Sequence, residues 1–396
     1  MKILLIHNYY QKYGGEDSVF HSEMELLKKN GHQILTFTRN NNEILKFSLL
    51  DKAKFLKDTI WSTKTNQELA KISLEFTPDV AHIHNIFPLI SPSVYDVLKH
   101  NNIPIIQTLH NFRFLCSNGL FYRENKICEK CKFGHMHNAI LFKCYKDNYT
   151  TSALYATTLT INRIMKRLDN VSCFIALSTF AKQKFSESKL IPEEKINVLG
   201  NFIDNNKAEN LVKRKSKREY AVYIGRLSIE KGLDLIVNAF QELSNIELKI
   251  VGTGPEYEKI HRYLLGHNIT NIDLLGHLHE SEILEIARDA FVTVIPSNWY
   301  EQFPIVALES MLVGTPIIAS RLGGLPSIIE DGVSGYLFEP NNLDDLKSKI
   351  IKMYSNIENT EQMGMNAQKT INDKFSSDVH YRKLMDIYNA AIIEKT

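Results

Sequence analysis

The chain has 396 residues, enough for two domains that each bury a core of their own. Its 47 basic and 45 acidic side chains leave a formal net charge of +2, which argues against a nucleic-acid binder driven by phosphate neutralisation. Five cysteines are too few for a disulfide scaffold and no apolar run approaches the length that spans a bilayer, so a cytoplasmic protein, or one on the membrane's inner face, is expected.

KILLIHN (Lys2 to Asn8) predicts a buried first strand and is too short for the apolar core of a signal peptide. The polar loop YYQKYGGEDS follows, then a helix to about Leu27. Gly14-Gly15-Glu16 reads either as an ordinary turn and cap or as a place where the missing side chain of Gly15 lets a ligand approach. Leu49 to Lys64 alternates apolar residues with lysines at helical spacing and carries Trp61; it is either a packing helix or a basic amphipathic helix lying on an anionic membrane. Strands are expected at Gln33 to Thr38, Val80 to Ile83, Pro104 to Leu109 and Val171 to Ala176, with helices between, which is an α/β alternation. His110 closes PIIQTLH at a strand end where parallel sheets place ligands, although a buried histidine bonded to backbone fits the same position.

Cys116, Cys128, Cys131 and Cys144 fall in an insertion over about 112–150. The close pair CEKC has the spacing of a zinc knuckle, so the four are either a four-thiolate structural zinc site, with His135 and His137 as substitute ligands, or four free thiols. Cys173, in VSCFIAL, reads as a buried small hydrophobe. Asn205 to Arg218 is polar, ends in KRKSKR and reads as a linker.

The second half repeats the alternation, with LKIVG, IDLLG, FVTVIP and PIIAS as strands. YAVYIGRLSIEKG puts Gly225-Arg226 at a strand's end and Lys231-Gly232 at the opening of the next helix, two fixed cations in a place that suits a diphosphate. EQFPIVALE puts Glu301 in a loop and Glu309 on the helix that Pro304 opens. Both acids therefore approach a ligand from one side, unlike the opposed carboxylates of a glycosidase. VGTGPE (Val251 to Glu256) lacks the third glycine of a dinucleotide fingerprint, and no Asp-x-Asp occurs, so catalysis without a divalent ion is expected.

The Gly-Arg…Lys-Gly pair and the Glu-x7-Glu spacing together resemble family 4 of the glycosyltransferases, retaining nucleotide-sugar enzymes of the GT-B fold. The resemblance covers nearly the whole chain. It implies two Rossmann-like domains facing across a cleft: 1–204 on the acceptor side, 219–375 for the nucleotide sugar, 205–218 as linker, and a helix over 376–396 crossing back. It implies that Arg226 and Lys231 stabilise the leaving diphosphate, that Glu301 holds hydroxyls of the donor sugar and Glu309 the ribose, that His110 lies beside the reacting sugar, and that the Gly15 loop meets donor phosphates and acceptor. Ser178 and Asn201 match positions near the cleft, and Gly276, His277 and Leu278 are expected to hold the base through backbone groups, each open to a reading as turn chemistry. Asn111 departs from the aspartate often found beside that histidine. The implied reaction moves a hexose-type residue from a UDP- or GDP-sugar to a glycan or lipid-linked acceptor with retention, in cell-surface polysaccharide synthesis, by a monomer or homodimer. A GT-B sugar-nucleotide epimerase and a non-catalytic scaffold remain open.

Overall fold

The computed structural model describes residues 1–208 and 219–394; residues 209–218 of the expected linker and 395–396 lie outside the described residues. The chain divides into two compact units: Met1–Phe121, Cys128–Gly200 and Tyr381–Thr396 form the first, Tyr122–Ile127 and Asn201–His380 the second. The strands, in chain order, are β1 (Lys2–Tyr9), β2 (Gln33–Asn40), β3 (Val80–Asn85), β4 (Ile105–Leu109), β5 (Tyr122–Arg123), β6 (Lys126–Ile127), β7 (Cys173–Ala176), β8 (Ile196–Val198), β9 (Tyr220–Ile224), β10 (Glu247–Val251), β11 (Ile272–Gly276), β12 (Val292–Ile295), β13 (Ile317–Ser320) and β14 (Gly335–Phe338).

In the first unit a parallel sheet runs β2-β1-β3-β4-β7-β8. Ile3 to Ile6 are fully buried because helices cover both faces of such a sheet, which is why β1 reads as a continuous apolar run. Phe20 and Leu27 of the helix Gly15–Lys29 share a core with Ile3, Leu5, Val80 and Ile106, and with Leu384 and Tyr388 of the C-terminal helix Ser377–Ile393.

The second unit is a parallel sheet in the order β11-β10-β9-β12-β13-β14, the doubly wound order in which strand sequence reverses between β9 and β12. Ligands of such sheets bind beyond the carboxyl ends of the two strands flanking that reversal. Here those ends carry Gly225-Arg226 and, after β12, the loop to Glu301.

Three expectations are corrected. The lysine-rich segment is not one helix: a helix ends at Ile60, Trp61 turns to extended backbone (φ −151°), and the Ser62 hydroxyl caps a second helix, Thr63–Phe76. Lys64 thus belongs to the second helix, and the first packs beside the helix Tyr149–Ile164. The cysteine insertion is also divided, because the β5–β6 hairpin groups with the second unit while Cys128 onward groups with the first. Pro304 stands just before its helix, Ile305–Leu312, rather than inside the first turn.

Candidate active site

In the second unit, glycines decide where the cations stand. Gly232 has φ +72° and lies so close to the Pro296 carbonyl that a Cβ would overlap it, so the Lys231 turn rests directly on the end of β12. Gly252 and Gly254 meet the carbonyls of Gly225 and Leu227 in the same way, and Leu227 N–H donates to the Thr253 carbonyl at 3.0 Å. VGTGPE is therefore the seat of the Arg226 loop, and its glycines serve backbone approach within the protein.

Lys231 Nζ lies 2.7 Å from Glu301 Oε1 and 5.1 Å from the centre of the Trp299 ring. Ser297 Oγ donates to the same carboxylate oxygen at 2.7 Å. Glu301 is only 5% exposed, and its carbonyl accepts from Gly324 N–H at 2.6 Å. Gly323, at φ +63°, makes that approach feasible, since a Cβ there would crowd the Glu301 backbone. Sequence reasoning gave Lys231 and Glu301 separate partners; the structure makes them one ion pair. Sequence reasoning also overlooked Ser297, in IPSNWY after β12, and Gly323 and Gly324, in RLGGLP beyond β13. Arg226 is exposed and has no side-chain hydrogen bond or ion pair among the described residues.

Around this pair lie buried polar atoms without partners: Asn298 Oδ1, Trp299 Nε1 and both amide atoms of Gln302. Asn201 joins them, since its Nδ2 donates to the Phe303 carbonyl at 2.8 Å while its Oδ1 is unpartnered. Glu309 sits on the following helix with its carboxyl pushed up to about 7, mainly by burial and further by Glu280, against a lowering by Lys207. Gly276 ends β11 at φ +70°, His277 is exposed, and Leu278 packs beside the core of Tyr220, Val222, Val251 and Ala290, so only its backbone is available to a ligand.

In the first unit, Gly14 and Gly15 open the helix Gly15–Lys29, and a Cβ on either would meet nothing within 4 Å. The fold itself does not require glycine there. Asp17 caps the helix, accepting from Gly14 N–H at 3.0 Å, and its other oxygen lies 2.7 Å from His7 Nε2. That frees Glu16 for the tips of other elements: it accepts from Tyr10 OH at 2.8 Å and Asn111 Nδ2 at 3.2 Å. Burial lifts its carboxyl to about 7 against the lowering effect of Tyr10, Arg113 and Asn111. Glu16, Asn111 and Arg113 line one pocket with His84 and His110. Arg113 was missed, and Asn111 proves structural to this pocket. His110 is held neutral well below the usual imidazole value by burial, then by His84 and His7. Ser178 caps the helix Thr179–Glu187 through Ala181 N–H, which is turn chemistry.

Cys116 and Cys131 are buried, Cys128 and Cys144 partly so. Burial and the other three thiols push Cys131 up to about 12. Among the described residues, the grouping of three potential ligands with all ligand atoms within 4.8 Å of one another is Glu23, His82 and His84; the four thiols do not form one. Nor, among these residues, is any helix long and apolar enough to cross a membrane.

Residues 13–207 match the model described as Glycosyltransferase Family 4 and residues 204–370 the one described as Glycosyl transferases group 1. An uncharacterized glycosyltransferase of Methanocaldococcus jannaschii is 27% identical over 380 residues, 95% of this chain and 94% of that protein. The capsular polysaccharide biosynthesis glycosyltransferase CapM of Staphylococcus aureus is 26% identical over 56% of this chain and 62% of its own. Among solved structures, Anabaena HepE in complex with UDP superposes with a TM-score of 0.68 at 17% identity, over 98% of this chain and 100% of that one. Sucrose-phosphate synthase of Thermosynechococcus elongatus gives 0.73 at 17% identity, over 99% of both. Identities this low speak to the fold alone.

Proposed function

We propose that this chain, a GT-B glycosyltransferase, moves a hexose-type residue from a UDP- or GDP-sugar to a glycan or lipid-linked acceptor, with retention at the anomeric carbon, in the making of a cell-surface polysaccharide. The observation that carries the reading is the Lys231–Glu301 pair at the reversal of strand order, its carboxylate 6% exposed, with unpartnered buried polar atoms on its neighbours in sequence Asn298, Trp299 and Gln302 and on Asn201, which bonds the Phe303 carbonyl. Buried polar groups left without partners cost about 1–3 kcal/mol each, so these atoms gain from a polar partner, be it water or a ligand. A nucleotide sugar is polar throughout, and the UDP held by HepE supports uridine as the base.

As the diphosphate departs, negative charge builds on its oxygens. Arg226, which has no ion pair among the described residues, meets that charge directly, and Lys231 stands behind it. Both bonds to Glu301 go to Oε1, so Oε2 is the oxygen offered to the sugar's hydroxyls. Glu309 receives the ribose, and backbone groups of Gly276, His277 and Leu278 the base. His110, neutral, lies beside the reacting ring, and Gly15 leaves room for phosphate or acceptor. The acceptor hydroxyl attacks from the leaving-group side and its proton passes to a phosphate oxygen, with no divalent ion in the scheme. CapM's role in capsule synthesis supports the polysaccharide setting. The four cysteines are read as a structural zinc site whose sulfurs draw together on the metal, and the helix Leu49–Ile60 as a peripheral contact with anionic lipid.

A thermal-shift screen against UDP-, GDP-, ADP- and dTDP-sugars tests the reading. A ligand at a hundred times its dissociation constant adds about 2.7 kcal/mol. One nucleotide should raise the melting point by several degrees; no response to any of the four would remove the proposal.

A further inference from the structure

Behind His110 lies a chain of buried side chains drawn from separate elements. His82 and His84 alternate on β3 so that both face the helix Gly15–Lys29, where Glu23 sits on the inward stripe with Asp17, Phe20 and Leu27. Glu23 and His84 are each 3% exposed. Glu23 Oε1 lies 2.8 Å from His82 Nδ1 and 3.5 Å from His84 Nε2. On its other side, His84 Nδ1 lies 2.9 Å from His110 Nε2, with the two rings stacked 5.1 Å apart. His82 is held independently, by Tyr388 OH at Nδ1 and Thr108 Oγ1 at Nε2, each 2.7 Å away.

Each contact constrains a proton. His84 Nε2 is buried without a hydrogen bond and faces Glu23 Oε1 at 3.5 Å; a carboxyl oxygen attracts an N–H and repels a bare nitrogen lone pair. His84 Nε2 therefore carries its hydrogen toward Glu23, at a separation where attraction rather than a short hydrogen bond does the orienting. A neutral imidazole has one N–H, so His84 Nδ1 is left as an acceptor. The 2.9 Å contact is then satisfied only if His110 Nε2–H donates. What remains on His110 is a bare Nδ1.

We infer that Glu23, acting through His84, fixes His110 as the Nε2–H tautomer, so that this residue meets its substrate as a hydrogen-bond acceptor at Nδ1 and binds a sugar hydroxyl. Glu23 and His84 are positioning residues, and the inference rests on His110 lying at the transfer site. Burial and the neighbouring histidines keep His84 down at about 4 and His110 lower than its ordinary value, which agrees with a neutral chain. Three ligand-type groups this close also raise the question of a metal. Glu23 Oε1 and His82 Nδ1 stand 2.8 Å apart, closer than the roughly 3.3 Å that two ligands at about 2.0–2.1 Å keep from each other in a zinc tetrahedron.

The test is ¹⁵N spectroscopy of the imidazole rings in the full chain, with His110 assigned by its loss in His110→Asn. Wild type should show His110 protonated at Nε2 and bare at Nδ1. Glu23→Leu, which removes the acceptor and keeps the bulk, should turn that single form into a mixture and lower kcat roughly 10-fold to 100-fold while leaving KM for the donor within about two-fold. A wild-type His110 protonated at Nδ1 would overturn the inference without any variant. So would an unchanged His110 tautomer in folded Glu23→Leu, or a stoichiometric metal lost in that variant. The tautomer is read without turnover, so the expected spectrum in a protein that transfers no sugar would sink the proposed function and the sugar contact of His110 with it, and leave only the Glu23–His84–His110 tautomer assignment standing.

Discussion

Replacing Lys231 should show that it and Glu301 work as a pair. In Lys231→Met the stem remains and the ammonium goes, leaving a carboxylate that is 6% exposed with only the Ser297 hydroxyl to hold it. Stripping one partner from a buried pair costs about 3–5 kcal/mol. Lys231 is itself 23% exposed, so water will replace part of what is lost, and about 2 kcal/mol is the expected cost. For a unit of this size that is a fall of roughly 4–8 °C in melting temperature. Glu301→Gln in the same background should then cost little more, because the stranded charge is gone. The assay is a double-mutant cycle by thermal or urea melts on the four proteins, with calorimetry of bare nucleoside diphosphate on each. A coupling of about 1–2 kcal/mol is expected; effects that add within ~0.5 kcal/mol would refute the pairing. Diphosphate binding should weaken in Arg226→Ala and Lys231→Met but survive in Glu301→Gln, while transfer in the last falls by about 10²-fold.

Glu309 titrates near 7 in the folded chain and lower when unfolded, so the folded state binds the extra proton; its contribution is fully present below about pH 4.5 and lost as pH rises through 7. Urea melts of Glu309→Gln should therefore exceed wild type by about 3 kcal/mol at pH 8 and converge with it below about pH 4. Gly232→Ala should destabilise by more than about 2 kcal/mol and weaken diphosphate binding with it, because the Pro296 carbonyl is in the way, whereas Gly15→Ala should melt like wild type and lose transfer. Elemental analysis should find one zinc per chain in protein purified without chelator; four titratable thiols and no zinc would end that assignment. Flotation with anionic liposomes should show binding that high salt abolishes, and its absence at low salt would return the helix Leu49–Ile60 to a packing role.

The placement of Arg226, Lys231 and Glu301 in the second unit was legible because each follows a strand end that the apolar runs reveal, and Glu309 on the helix that comes next. What stayed hidden was how they combine. The Lys231–Glu301 contact joins positions 70 apart and depends on Gly232 and Gly323 permitting backbone overlap, which no spacing announces. The histidine chain was hidden for the same reason, since Glu23 comes from a helix, His84 from β3 and His110 from the loop after β4. AHIHN gave a hint, three polar residues inside a wholly buried strand, and a buried acid on the facing helix stripe gave another. Short strands escaped as well: β8 buries only Ile196, and β14 opens on Gly335, whose lack of a side chain lets it close on the Ile317 carbonyl. The break at Trp61 was masked by lysines whose spacing ran on through it.

Tyr388, near the chain's end, bonds His82 beside the Glu23 chain, and the residues from Tyr381 onward group with the first unit although the second precedes them in sequence. The hairpin Tyr122–Ile127 makes the reverse excursion. Recombination between relatives is therefore constrained: a crossover near residue 200 delivers a foreign second unit together with a foreign tail and without its own hairpin. A chimera that keeps the native tail with the native first half, and moves the hairpin with the incoming second, preserves every buried contact described here. One made by a single cut does not, and the tail's Tyr388 is the place where the mismatch reaches His82.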